Sequence, residues 1–146
     1  MTLYTIGFTK STAERFFGRL REAGVARLVD TRLRRDGQLA GFAKMPDLEY
    51  FARELAGVAY AGEPLLVPSA ELLDAYRDKE ITWDEYATAY RALLTERAPE
   101  RTIPAASLAN ACLLCSEHAP ERCHRSIAAD YLAAAYPKAR IEVVHL

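Results

Sequence analysis

Short apolar runs alternate along this chain with stretches in which apolar residues recur every three or four positions. Residues 3–7 read as a buried strand ending at Gly7. Ser11-Thr12-Ala13-Glu14 has the serine-to-glutamate spacing of a capping box. Ala13, Phe16, Phe17, Leu20 and Ala23 then follow at helical spacing, with Gly24 as terminator. Val25 to Val29 form a second apolar run, closed by Asp30-Thr31-Arg32. A strand–helix–strand unit of this kind calls for parallel strands and a right-handed crossover.

Residues 33–46 follow neither period and carry Arg34, Arg35, Gly37, Gly41 and Pro46, which predicts a long loop. Asp47 is a candidate cap for a helix with Leu48, Phe51, Ala52 and Leu55 on one face, stopping at Gly57. A short third strand is expected over 58–61, then a loop over 62–68 holding Glu63, then a helix over 69–79. Thr82-Trp83-Asp84-Glu85 is a second capping box, and Trp83, Tyr86, Ala87, Tyr90 and Leu94 form the stripe behind it. Such stripes usually belong to a core, so no cofactor role is given to it. Residues 102–110 are a weak turn or loop. A strand over 111–115, a helix from about 123 to 136 and a strand over 141–144 complete the series. The expectation is one α/β domain over residues 1–146. It would be a three-layer sandwich with a mostly parallel five-stranded sheet and helices on both faces.

Composition narrows the function classes. Net charge is −1, so no overall field draws the chain to nucleic acid or acidic membranes. Of 19 basic residues only Lys10, Lys44, Lys79 and Lys138 are lysines; the rest are arginines, which favour local recognition of carboxylates and phosphates. No run is apolar enough to span a bilayer, and no export signal opens the chain. The three cysteines therefore suit a reducing cytoplasm, and their odd number argues against a disulfide framework.

Parallel strands would bring Asp30, Arg32, Cys115, Glu117 and the Cys123–Arg125 turn to one rim, where this architecture places ligands. A zinc site of Cys112, Cys115, Cys123 and His124 is disfavoured, because Cys112 and Cys115 lie at an odd offset in a strand. Cys112 is expected to be packing, and no metal or cofactor is expected. Cys115 leaves the core at the strand end. Cys123 falls in the first turn of the next helix, where amides and the dipole would lower a thiol pKa. Glu117 is a candidate for proton transfer, His124 for a proton shuttle, and Arg32 with Arg125 for anion binding, oriented by Asp30. Structural alternatives stand beside these: internal ion pairs for the arginines, gap-filling for the thiols. A phosphatase loop is mostly rejected: the strand–loop–helix shape is shared, but neither Cys115 nor Cys123 has an arginine after five intervening residues.

Ile6-Gly7-Phe8-Thr9, Asp30-Thr31-Arg32, Tyr76-Arg77-Asp78-Lys79 before Trp83, Leu114-Cys115-Ser116-Glu117 with Pro120 and Cys123-His124-Arg125, and the terminal His145-Leu146, resemble the domain of unknown function 488 family. The resemblance runs nearly end to end and implies an α/β cytoplasmic protein with a polar site at Asp30, Arg32, Cys115, Glu117, Cys123, His124 and Arg125. It implies no particular reaction. Pro104 departs from the helix expected before the 111–115 strand. The reading reached is a small enzyme acting on a polar or anionic substrate at the sheet rim. The alternatives are a nucleic-acid-binding module using Arg32, Arg34, Arg35 and Phe42, and a structural or partner-binding domain.

Overall fold

The computed structural model describes residues 1–37 and 40–146. Five strands, β1 (Thr2–Gly7), β2 (Arg27–Asp30), β3 (Ala59–Gly62), β4 (Ala111–Cys115) and β5 (Glu142–His145), form one sheet in the order β3-β2-β4-β1-β5. Every pairing is parallel, so the sheet is wholly and not mostly parallel. The chain moves from β1 out to β2 and β3, then returns to insert β4 between β2 and β1. The register sets Gly7 beside Cys115 and Asp30 beside Leu114 and Gly62. The strand ends therefore share one rim.

The helices are α1 (Ala13–Glu22), α2 (Asp47–Phe51), α3 (Ala70–Arg77), α4 (Trp83–Arg97) and α5 (His124–Ala135). Alternation along the strands divides the core in two. Leu28, Cys112 and Leu114 pack with Phe16, Phe17 and Leu20 of α1 and Leu48 of α2. Leu3, Val29 and Leu113 pack with Tyr86, Tyr90 and Leu94 of α4 and Ile127 and Leu132 of α5. Helices thus cover both faces. No helix of the described residues is long and apolar enough to cross a membrane.

Several helix starts differ from expectation by one residue. Thr12, not Ser11, caps α1, its side chain accepting from the Arg15 amide at 3.2 Å. Pro46 precedes α2, so Asp47 is its first residue and not its cap. Cys123 is the residue before α5, with extended backbone and no capping bond from its side chain. The Thr82–Glu85 capping box forms as read. The stretch 33–46 contains a short turn of helix over Gly41–Ala43, and its Gln38 and Leu39 lie outside the described residues.

Candidate functional site

At the C-terminal end of β4 the chain makes an eight-residue excursion, Ser116 to Cys123, before entering α5. This loop is pinned from below. The Thr9 amide donates to the Ser116 carbonyl at 3.0 Å, and Ser126 Oγ donates to the Pro120 carbonyl at 2.6 Å. Arg125, wholly buried, donates from its Nη atoms to the carbonyls of Glu117 (2.6 Å) and His118 (3.3 Å), and from Nε to Thr5 Oγ1 (3.3 Å). It has no salt-bridge partner among the described residues, so carbonyl dipoles compensate its charge. Gly7 makes the close approach possible: a Cβ there would lie 1.6 Å from the Glu117 carbonyl oxygen. Arg125 is therefore a staple for the loop, and its donors do not face the pocket.

Two thiols and one imidazole meet above this staple. Cys115 Sγ, Cys123 Sγ and a ring nitrogen of His124 lie within 4.8 Å of one another, and all three residues are buried. His124 Nδ1 stands 3.6 Å from Cys115 Sγ. Its Nε2 is 2.9 Å from the Thr31 carbonyl and 3.0 Å from Thr31 Oγ1, whose own proton goes to the Leu114 carbonyl. A carbonyl only accepts, so Nε2 carries a proton and Nδ1 is left to exchange one with Cys115. Tyr90 packs edge-on against the imidazole, 5.5 Å between centroids, and fixes its plane. A thiol, an imidazole and a carbonyl that orients the imidazole, set in this order, can act as nucleophile, base and orienting group.

The electrostatics separate the thiols. Cys115 is held well below the ordinary thiol value, chiefly because the Cys123 thiol donates to it, with His124 adding to the effect against the cost of burial. Cys123 is pushed well above it, by burial and by its neighbour Cys115. Burial pulls His124 down, but Cys115 beside it more than offsets this, and the net shift is upward. Of the two candidate thiols, Cys115 is the one held low, while Cys123 sits before the helix and serves as donor. Cys112 lies on the opposite face in the apolar core, as its odd offset required, and burial raises its pKa steeply.

A small pocket of about 80 Å³, open to solvent, rises over Cys115. Arg32, Glu117, Cys123 and His124 also line it; Asp30 and Arg125 do not. Asp30 is fully buried and receives Arg32 Nε (2.9 Å) and Nη2 (2.8 Å), the Arg32 amide (3.0 Å) and Tyr60 Oη (2.7 Å). Arg32 spends Nη1 on the Ala43 carbonyl, 2.7 Å away, and its guanidinium lies over Phe8. Phe42 packs against Phe8, Phe16 and Phe17. Glu117 is exposed at the mouth.

Sequence reasoning missed the opposite wall, made by Tyr76 and Arg77 of α3, Trp83 and Tyr86 of α4, and Arg34 and Arg122. The aromatic stripe is core as expected at Tyr86, Ala87, Tyr90 and Leu94, and Trp83 packs against its edge; Trp83 and Tyr86 also line the pocket. The signal was present in the Tyr76-Arg77 run that carries the family resemblance.

The family model for Domain of unknown function DUF488 matches residues 12–132. The chain belongs to this family. The matched span runs from the α1 cap to Leu132 within α5, and so contains both the thiol–imidazole cluster and the aromatic wall of the DUF488 domain. No curated protein and no solved structure matches the chain.

Proposed function

We propose that this DUF488 protein is a small enzyme in which Cys115 attacks a polar or anionic substrate held in the rim pocket. The observation that carries this reading is the 3.6 Å contact between Cys115 Sγ and His124 Nδ1, with Nε2 tied to the Thr31 carbonyl. His124 Nδ1 takes the thiol proton, Sγ bonds to the electrophilic atom as the bond to the leaving group breaks, and the leaving group departs with the proton from Nδ1. Water or a second acceptor then releases the substrate fragment and restores the thiol. Three free thiols suit the reducing cytoplasm that this chemistry needs. The internal bonds of Arg32 and the packing of Phe42 favour this reading over a nucleic-acid-binding loop.

Site-mapped alkylation with iodoacetamide tests it, with Cys112 as internal control. Cys115 labels fast at neutral pH while Cys112 labels only on unfolding. Equal slow labelling of all three thiols contradicts the nucleophile.

One observation also favours a metal-binding reading. Two sulfurs at about 2.3 Å and a nitrogen at about 2.0 Å from a tetrahedral zinc are separated by roughly 3.6 Å across the S···N edge. Cys115 and His124 show this separation, and a carbonyl on the far ring nitrogen is the usual support for a ligating histidine. Titration with cobalt(II) separates the readings. Thiolate charge-transfer bands that vanish in both Cys115→Ser and Cys123→Ser support the metal; no bands, with fast Cys115 alkylation, support the nucleophile.

A further inference from the structure

We infer that the pocket takes a flat aromatic ring carrying an anionic group, with the ring against Tyr76, Trp83 and Tyr86 and the anion at Arg77 and Arg122. This deepens the proposed function and rests on the rim pocket being the substrate site.

Three independent features converge. The first is Tyr86, which lines the pocket and is 1% exposed, yet its hydroxyl has no hydrogen-bond partner. A buried hydroxyl left unpaired is costly, so a phenylalanine would suit an empty core better. The hydroxyl has the character of a group awaiting a ligand atom. Burial raises its pKa, and Cys115 and Cys123 add to this, so it stays a neutral donor close to the reacting thiols.

The second feature is the wall itself. Tyr76 and Trp83 are only half-buried, and their ring centroids lie 5.1 Å and 5.4 Å from that of Tyr86. Trp83 also lines an adjoining groove that contains Arg77, Lys79 and Arg122. Partly exposed aromatic surface of this extent suits a planar ring, which loses little entropy on stacking.

The third is charge. Arg77 and Arg122 are exposed and have no salt-bridge partner among the described residues, whereas Arg34 is held by Asp74 at 3.1 Å. A wholly apolar ligand would leave these arginines unused, and a bare inorganic anion would leave the aromatic wall unused. A ring bearing a phosphate or carboxylate uses both.

Trp83 is the only tryptophan, so its fluorescence reports on the wall directly. The probe is adenosine 5′-monophosphate, titrated beside adenosine and inorganic phosphate. The monophosphate quenches saturably; adenosine binds roughly tenfold or more weakly for loss of the charge-assisted contact, and inorganic phosphate binds more weakly for loss of the ring contact. Arg77→Ala with Arg122→Ala brings the monophosphate down to the level of adenosine. Tyr86→Phe weakens binding roughly fivefold without lowering the melting temperature. Cys115→Ser still binds the monophosphate saturably, which separates this inference from the nucleophile reading. Absence of saturable quenching, or affinity indifferent to the arginine substitutions, overturns the inference while leaving the alkylation result to decide the role of Cys115. A fall in melting temperature for Tyr86→Phe would show that its hydroxyl already had a partner, and would remove it from the ligand site.

Discussion

Two buried thiols within 4.8 Å of each other are pushed in opposite directions, chiefly because Cys123 donates to Cys115, with His124 adding to the lowering of Cys115. His124→Ala removes the proton acceptor and leaves the Thr31 carbonyl without its donor. The rise of Cys115 alkylation in this variant then lies at higher pH than in wild type, short of a full return to an ordinary thiol because the Cys123 donor remains. Comparing rate–pH profiles checks this, and superimposable profiles would deny His124 any part. Asp30 works at the same scale but on stability. It is fully buried, and Asp30→Asn leaves the Arg32 guanidinium without its countercharge. Breaking a buried pair from one side costs about 3 kcal/mol or more. Thermal denaturation should therefore show a melting temperature lower by roughly 10 °C for a chain of this size. The folded variant should keep the pH profile of Cys115, because Asp30 does not line the pocket.

Among the elements, the loop from Ser116 to Cys123 decides whether a site exists, and it is held by groups outside itself. Gly7 leaves space for the Glu117 carbonyl, and Arg125 ties that carbonyl and the next. Gly7→Ala should therefore displace the loop while β1 remains paired. The expected signature is a slower, ordinary-thiol alkylation of Cys115 with the circular dichroism of the sheet and helices retained. Unchanged Cys115 reactivity would mean that the loop does not need this approach. The helices were legible to different degrees. The capping box at Thr82 has a reciprocal pattern that few other conformations satisfy, and α4 begins where it says. Ser11-Thr12 offered two adjacent hydroxyls, and sequence spacing alone could not choose between them; the bond to the Arg15 amide selects Thr12. The spacing predicts Cys123 in the first turn of a helix, whereas its backbone is extended and α5 begins one residue later.

For the whole molecule, the alternation of strand and helix patterns sufficed to give a parallel sheet covered on both faces, because each period reports which side an element buries. Convergence of Asp30, Cys115 and the Cys123–Arg125 turn on one rim followed from parallel strands alone. What sequence could not supply was the division of labour on that rim. Arg32 and Arg125 carry the same charge as Arg77 and Arg122, yet the first two point into the protein and the latter two remain without an ion-pair partner among the described residues. Only packing distinguishes a staple from a recognition group. The aromatic wall was hidden for a similar reason: Trp83 and Leu94 share a helical stripe, and only the placement of α3 against α4 leaves one end open to the pocket.

The account turns on Cys115 being a thiolate paired with His124 at neutral pH. Ultraviolet absorbance of the thiolate, recorded against pH as wild type minus Cys115→Ser, measures this directly. Because the Cys115 pKa is lowered, the absorbance step belongs on the acid side of the ordinary thiol range. A step at or above about 8.5, the value of an unperturbed thiol, would contradict the account.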